Sequence, residues 1–241
     1  MNLLKRLIKY SQRRLYKWEV QAVPRLNGGG LKNNGYHSQY GQDKLVAEIL
    51  LPKLRNGIFV DIGAHDGVNL SNTLYFEENL GWTGIAIEPN PMVFDRLKQN
   101  RHCTTINAGI TDVTCQKKFR AVTGYAEMLS GLVIEQDDRY KERINNEVSE
   151  HGGSVSEIEV DCWNFNELMK NYGITKIDYL SIDVEGGELS IISSIDWDAV
   201  PISVVSVENT YKEGKIMRLM KKHGYRLVYF AGDEFYMKYS G

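Results

Sequence analysis

Short, largely apolar runs alternate with amphipathic segments along the chain from residue 36 onward. The runs in GIFVDI (57–62) and TGIAIE (83–88) are typical of strands that are covered on both faces. Between such runs, apolar residues recur every three or four positions, which predicts helices. The predicted strands are 57–62, 83–88, 104–110, 176–184 and 203–209, and the predicted helices are 38–52, 68–81, 90–100, 187–195 and 212–224.

This alternation predicts the fold class. Strands separated by helices form parallel βαβ units with right-handed crossovers. The last two apolar segments, YRLVYF (225–230) and EFYMKY (234–239), are close enough in sequence to pair as a hairpin. We therefore predict an α/β, doubly wound, Rossmann-like sheet that is mostly parallel and has an antiparallel C-terminal strand. Residues 113–160 break the alternation, and we interpret them as an insert of short strands and one charged helix.

The first 35 residues follow a different pattern. MNLLKRLIKYSQRRLYKWEV (1–20) predicts an amphipathic helix with Leu4, Ile8, Leu15 and Trp18 on one side. A stretch rich in Pro, Gly and Asn follows, so we predict a helix and linker in 1–35 and the main domain in 36–241. Two interpretations of the helix remain open. It packs on the domain or on a sister subunit, or it attaches peripherally to an anionic membrane surface through residues 1–20.

Charge and cysteine content limit the possible partners. Residues 1–20 hold six basic side chains and one acid, a net of +5, which leaves −7 for residues 21–241. An acidic main domain opposes binding to nucleic-acid phosphates. The three cysteines form no CxxC pair and are expected as free thiols in a reducing cytosol. No apolar run approaches the ~18 residues of a membrane span. We predict a cytoplasmic protein, peripheral at most at the inner face of a membrane, and leave its oligomeric state open.

The turn after the first strand carries glycines and acids in FVDIGAHDGVNLSNT (59–73). A dinucleotide fingerprint would read GxGxxG, whereas Gly63 and Gly67 are spaced GxxxG. Asp61 and Asp66 would repel a pyrophosphate and attract a ligand with a positive pole. S-adenosylmethionine is such a ligand, since it has a sulfonium, an ammonium and a ribose but no phosphate.

Further residues are placed to complete this cofactor site. Glu88 ends the second predicted strand, where an acid accepts both ribose hydroxyls, although this feature alone would serve NAD equally. Asn107 follows the third strand at the expected adenine edge. The predicted cofactor-binding set is Gln39, Asp61, Gly63, Ala64, His65, Gly67, Asn72, Glu88, Asn107 and Asp183.

Four motifs resemble those of the FkbM-type methyltransferases, a branch of the Rossmann-like class I S-adenosylmethionine enzymes. They are SQYGQD (38–43), FVDIGAHDGVNLSNT (59–73), GWTGIAIEPNP (81–91) and LSIDVEGGE (180–188), within a resemblance that covers residues 38 to 209. The resemblance implies methyl transfer to a hydroxyl oxygen, often of a sugar or a natural product. Residues 1–35 and the insert share no pattern with the family.

Acids at the ends of the fourth and fifth predicted strands are expected to carry the chemistry. Asp183 and Glu185 follow the fourth strand and Glu208 ends the fifth, so these catalytic candidates should be neighbours at the carboxyl edge of the sheet. In one mechanism, Asp183 or Glu185 is the general base that takes the hydroxyl proton. In the other, Asp183, Glu208 and Asn209 bind Mg²⁺, which acidifies a coordinated hydroxyl.

We therefore predict an S-adenosylmethionine-dependent O-methyltransferase that acts on a sugar of a glycan. A lipid-linked acceptor would suit the basic N-terminal helix, and the insert is the expected acceptor region, with Tyr125, Ser130 and Arg139 as possible contacts. A nucleic-acid methyltransferase is disfavoured because the fourth strand ends in DVEG, without an aromatic motif that grips a planar amine. The alternative from another class is a non-catalytic cofactor-binding module or membrane-attached adaptor of the same fold.

Overall fold

A computed structural model describes residues 14–25, 35–211 and 214–239. Helix α1 spans residues 14–22, and the other helices are α2 Gln42–Leu45, α3 Leu74–Leu80, α4 Pro91–Asn100, α5 Asp138–His151, α6 Phe165–Asn171, α7 Glu188–Ser194 and α8 Lys215–Lys222. The strands are β1 Ile58–Ile62, β2 Thr83–Ile87, β3 Thr104–Ile106, β4 Gly109–Thr111, β5 Cys115–Val122, β6 Gly131–Leu132, β7 Val155–Asn164, β8 Ile177–Ile182, β9 Ile202–Val207, β10 Tyr225–Ala231 and β11 Asp233–Lys238.

A seven-stranded main sheet has the order β10-β11-β9-β8-β1-β2-β3. All neighbours from β9 to β3 pair in parallel, and β11 runs antiparallel to both β9 and β10. The predicted fold class, a mostly parallel α/β sheet with an antiparallel C-terminal strand, is confirmed. Because β11 is antiparallel, its beginning lies at the edge where the parallel strands end. This edge therefore receives residues from both kinds of strand.

Alternate residues of the central strands enter two separate cores. Val60 of β1 packs in the larger core, together with apolar residues of α1, α6, α7 and α8. Phe59, its neighbour in sequence, packs in the other core with residues of α2 and α3. Since side chains alternate across a strand, each face of the sheet is covered by its own helices. The doubly wound arrangement follows from this alternation.

The insert forms a second sheet of its own, with the order β4-β7-β5-β6. Strands β5 and β7 pair antiparallel over their length, from Cys115↔Cys162 to Val122↔Val155, and β4 pairs in parallel with β7. Helix α5 packs against the short 3-10 turn Gly124–Leu129 through the buried side chains of Tyr140 and Ile144. The predicted short strands and charged helix are thus present, and β4 adds the end of the predicted strand 104–110 to this sheet.

Two predicted boundaries were wrong for a local reason. The helix predicted from residue 68 begins only at Leu74. The Asp66 carboxylate accepts the N–H groups of Val68 and Asn69, and the Ser71 hydroxyl accepts that of Leu74, so side chains replace the helical hydrogen bonds. The predicted strand 104–110 divides into β3 and β4, because the chain turns from the main sheet to the second sheet between them.

Residues 14–25, the described part of the predicted N-terminal segment, pack on the main domain. Tyr16 and Val20 of α1 are buried in the larger core, and the Tyr16 hydroxyl donates to the Glu234 carboxylate at 2.5 Å. These residues contact the main domain, and the possible membrane attachment of the helix stays a prediction. Residues 1–13 and 26–34 lie outside the described chain. No helix among the described residues is long and apolar enough to cross a membrane.

The end of β1 lies unusually close to the end of β8. Gly63 has φ +88, and a Cβ atom on it would come within 1.7 Å of the Asp183 carbonyl oxygen. The Asp183 N–H in turn donates to the Ile62 carbonyl at 2.9 Å. We predicted Gly63 as a cofactor-binding residue, and the atom that requires glycine here is the carbonyl oxygen of Asp183, directly after β8.

This contact predicts a position-specific loss of stability. Gly63→Ala should lower the free energy of unfolding by about 1–2 kcal/mol for the left-handed backbone and by about 1–3 kcal/mol more for the steric overlap. Gly173→Ala is the matched control, because Gly173 has φ +66 and open space where Cβ would stand. Urea denaturation of both variants measures the difference, and equal losses would contradict the backbone contact.

Candidate functional site

A cavity of about 1540 Å³ opens at the edge of the main sheet where the parallel strands end. Ligand sites typically measure roughly 300–1,000 Å³, so this one has room for two ligands side by side. Loops after β1, β2, β8 and β9 form its floor, and the insert and α1 contribute walls. Of the predicted site residues, the cavity brings together Gln39, Asp61, Gly63, Ala64, His65, Asn72, Glu88, Asp183, Glu185, Glu208 and Asn209.

The loop after β1 is tied to the end of β2 by Glu88. One carboxylate oxygen of Glu88 accepts the His65 N–H at 3.1 Å, and the other accepts the Asn90 N–H at 2.8 Å. Burial raises the pKa of Glu88 to about 7. Each carboxylate oxygen has a second lone pair, so Glu88 can still accept hydroxyl groups from a ligand in the cavity.

Asp61, at the end of β1, is buried and held from behind. Its carboxylate accepts the Thr73 hydroxyl at 2.7 Å, and Arg101 donates to the same hydroxyl oxygen at 3.1 Å. Burial raises the pKa of Asp61, while the bond from Thr73 and the charge of Arg101 oppose the rise. Asp61 therefore lines the cavity, and its carboxylate is held in place by Thr73 and, through Thr73, by Arg101.

Asn72 supplies an acceptor that has no partner among the described residues. Its Nδ2 donates to the Ser181 hydroxyl at 3.2 Å, whereas its buried Oδ1 makes no hydrogen bond. An unsatisfied buried polar atom is costly and often marks a site that a ligand completes. Because Asn72 lines the cavity, its Oδ1 is suited to accept from a ligand N–H group.

Carboxylates converge where β8 and β9 end. Oxygens of Asp183, Glu185 and Glu208 all lie within 4.8 Å of one another. Burial, followed by repulsion from Glu208, raises the pKa of Asp183 well above its ordinary value and that of Glu185 to about 7. Tyr140 of α5 donates its hydroxyl to Glu185 at 2.6 Å, which fixes that carboxylate against the insert.

Further acids that we did not predict as site residues surround this cluster. Glu188 accepts the Gly186 N–H at 2.9 Å and is buried, and burial raises its pKa to about 7. Asp233, at the start of β11, is also buried, accepts from Gln42 at 3.2 Å and has a pKa raised to about 7 by burial. The antiparallel hairpin predicted from the sequence is the signal that could have located Asp233.

Asn209 lies beside this carboxylate cluster, but its side chain is hydrogen-bonded to a different acid. Its Nδ2 donates to the buried carboxylate of Glu234 at 2.8 Å. The structure thus brings Glu185 together with Asp183 and Glu208. We had predicted Asn209, and not Glu185, as the third metal ligand. Asp183, Glu185 and Glu208 are the residues that would offer oxygen ligands if a divalent ion bound here.

Two predicted cofactor residues lie outside the cavity wall. A Cβ atom on Gly67 would meet Leu97 and Arg101 at 2.6 Å, so this glycine faces α4. Asn107 donates its side-chain amide to the carbonyls of Glu88 and Pro89, at 2.8 and 3.1 Å. Both residues therefore support loops next to the cavity and do not line it. Their spacing in the sequence could not distinguish a supporting position from a lining one.

The insert closes one side of the cavity through the 3-10 turn Gly124–Leu129. Glu127 of this turn contacts His65 Nε2 at 3.0 Å and also pairs with Arg96 of α4. Ser130, a predicted acceptor contact, lines the cavity, whereas Tyr125 and Arg139 do not. The insert is therefore joined directly to the loop after β1.

The charge of the cavity defines what it can bind. The described basic side chains that line it are His65, Lys17, Arg25 and Arg143, and the last three are exposed at its rim. The floor is acidic and buried, so a cationic group there would relieve the mutual repulsion of the carboxylates. A phosphate on the floor would increase it.

Comparisons with known proteins give a consistent family. The model of the methyltransferase FkbM domain matches residues 61–227. Methyltransferase sdnD of Sordaria araneosa is 26% identical over 210 residues, which cover 76% of this chain and 80% of that protein.

Two solved structures are similar at low identity. The FkbM methyltransferase of Methylobacillus flagellatus aligns with a TM-score of 0.46 at 12% identity, over 81% of this chain and 47% of that one. The TehB-like SAM-dependent methyltransferase of Corynebacterium glutamicum aligns with a TM-score of 0.40 at 13% identity, over 82% and 85%. The present chain spans about half the length of the Methylobacillus protein.

The raised carboxyl pKa values predict that stability falls as the pH rises. Buried carboxyls such as Glu88 keep their protons up to about pH 7 in the folded state, whereas unfolded carboxyls release them near pH ~4. The folded protein therefore binds more protons between these values, and the stabilisation is lost as the pH rises through about 7. Each such group contributes up to about 1.4 kcal/mol per pH unit.

Urea denaturation between these pH values measures the slope. Glu88→Gln should flatten it, because the amide cannot titrate. Glu142→Gln, at an exposed position of α5, is the control and should keep the wild-type slope. A free energy of unfolding that rises with pH over this interval would refute the assignment.

Proposed function

The chain belongs to the FkbM methyltransferase family, and from this premise we propose that it is an S-adenosylmethionine-dependent O-methyltransferase whose acceptor is a sugar hydroxyl of a glycan. The observation that carries the proposal is the group of half-buried and buried carboxylates on the cavity floor. They favour a cationic ligand without phosphate, and S-adenosylmethionine has that chemistry.

The residues fit the cofactor at both of its ends. Asn72 Oδ1 and the acids after β8 would accept from, and neutralise, its ammonium group. Glu88, at the end of β2, would accept the ribose hydroxyls while its backbone bonds to His65 and Asn90 hold the carboxylate in place. Glu127 and the 3-10 turn would cover the remaining part of the adenosine.

The acceptor would occupy the side of the cavity between the insert and α1. That side combines polar groups, such as Arg143 and Gln21, with the aromatic rings of Tyr40 and Phe230. A sugar suits this lining because it presents hydroxyl groups at its edge and an apolar face to an aromatic ring. The proposal of a glycan acceptor rests on this lining and on the family resemblance.

The transfer needs an acceptor oxygen that has lost its proton. When bound, S-adenosylmethionine would supply a methyl group on a positively charged sulfur. The acceptor oxygen would attack the methyl carbon in line, so that the O–C bond forms as the S–C bond breaks, S-adenosylhomocysteine leaves and the hydroxyl proton passes to the base. Glu185 would act as general base, since Tyr140 orients its carboxylate toward the acceptor side. Asp183 would balance positive charge next to it. A divalent ion held by Asp183, Glu185 and Glu208 is the competing way to acidify the hydroxyl.

The first test is cofactor binding. Isothermal titration calorimetry should detect binding of S-adenosylmethionine and no heat with NAD, because a pyrophosphate would meet the acidic floor. Glu88→Gln should weaken S-adenosylmethionine binding about tenfold, the effect of losing one charge-assisted hydrogen bond. Glu142→Gln should bind normally. Binding of NAD in place of S-adenosylmethionine would overturn the assignment.

The second test separates general-base from metal catalysis. Glu185→Gln should lower kcat by about 10²–10⁴ while leaving S-adenosylmethionine affinity nearly unchanged, and wild-type kcat should rise with pH up to about 7. Turnover with a panel of hydroxylated sugars measures both. Full activity after EDTA treatment supports the base, and activity that EDTA abolishes and Mg²⁺ restores supports the ion. Binding of the cofactor without methylated product from any acceptor would favour a non-catalytic module.

A further inference from the structure

Helix α1 packs on the domain through a face other than its predicted apolar side. Tyr16 and Val20 are buried, and Glu19 pairs with Lys221 of α8. Leu15 and Trp18, which belong to the predicted apolar side, are 55% and 65% exposed. The apolar side of the helix therefore has no cover among the described residues.

The sequence before the described part of the chain predicts more residues of this apolar side. Leu4 and Ile8 precede Leu15 and Trp18 at intervals that fit helical periodicity, and Lys5, Arg6, Lys9 and Arg13 stand between them. Apolar residues with basic neighbours are the pattern of segments that lie in a membrane interface, where Trp is a favoured anchor.

A groove beside Trp18 extends this surface across the domain. It has a volume of about 500 Å³, and its lining includes Ala22, Val23, Leu227 and Tyr239. Basic side chains stand along it: Lys221 and Arg226 line the groove, and Lys222 is exposed next to them. Arg226 lies over the Tyr239 ring at 3.4 Å from its centroid.

We propose that this surface, formed by Leu15, Trp18 and the groove, docks on an anionic lipid membrane. Its apolar centre and basic margin complement acyl chains and anionic headgroups, respectively. A second copy of the chain is a poorer occupant, because a two-fold contact would bring the same basic surfaces together. The surface is therefore a membrane-docking face rather than a dimer interface.

Docking would also orient the cavity. The cavity is lined in part by Lys17 and Gln21 of α1 and by Arg25 just after it. The cavity rim therefore lies next to the docked face. An acceptor anchored in the bilayer could then reach the cavity without leaving the lipid. This consequence rests on the proposed methyl transfer, whereas the docking does not.

Co-sedimentation with vesicles tests the docking. The full chain should bind vesicles of phosphatidylcholine with phosphatidylglycerol, bind pure phosphatidylcholine much more weakly, and release as ionic strength rises. Trp18→Asp should lower the partition constant at least about tenfold, since it removes a large apolar side chain and adds a repelled charge. Val113→Asp, at a 51% exposed apolar position in the loop before β5, is the matched control.

Several outcomes would overturn the proposal: no binding to either vesicle, equal binding to both, or unchanged binding of Trp18→Asp. Trp18-dependent self-association in sedimentation velocity, without vesicle binding, would assign the surface to a second copy. Calorimetry with S-adenosylmethionine on the same samples separates the two proposals. Intact cofactor binding without docking refutes the docking alone, and docking without cofactor binding refutes the proposed function alone.

Discussion

Mutual repulsion among half-buried and buried carboxylates is the constraint that governs the carboxyl edge of the main sheet. Asp183, Glu185 and Glu208 meet there, and Glu188 and Asp233 stand close behind them. Unpaired buried charges are expensive, and such groups keep a proton instead of remaining charged. Burial, followed by repulsion from Glu208, accordingly raises the pKa values of Asp183 and Glu185. A cationic ligand would change their protonation when it binds, so in the proposed function cofactor recognition and proton transfer would draw on the same groups.

Neighbouring side chains hold the acids of this edge in place through hydrogen bonds. Thr73 holds Asp61, Tyr140 holds Glu185, and Gln42 holds Asp233, each through one hydrogen bond to a carboxylate. The braces come from the loop before α3, from the insert and from α2, so three separate parts of the chain converge on the floor. Pre-organised acids of this kind need little rearrangement when charge develops during a reaction.

The sequence was a good guide wherever local pattern decides structure. Alternating apolar runs predicted the parallel strands and the hairpin, and the acids after the fourth and fifth strands were correctly brought together. It failed where a nearby side chain takes over a backbone hydrogen bond and where a long-range contact decides. Residues 68–73 were predicted as helical, but the side chains of Asp66 and Ser71 accept backbone N–H groups before α3. Asp233 contributes to the floor only because β11 lies beside β9, which periodicity cannot reveal.

The pairing of β4 with β7 has a consequence for how the protein can diversify. These two strands carry the chain into and out of the insert, and they are hydrogen-bonded neighbours through Gly109↔Cys162 and Thr111↔Asn164. This pairing closes the insert at its base, so a change of length within it need not displace the main sheet. Tyr140 and Glu127 of the insert also contact Glu185 and His65 in the cavity. A change within the insert would therefore alter the cavity wall and the setting of Glu185 together.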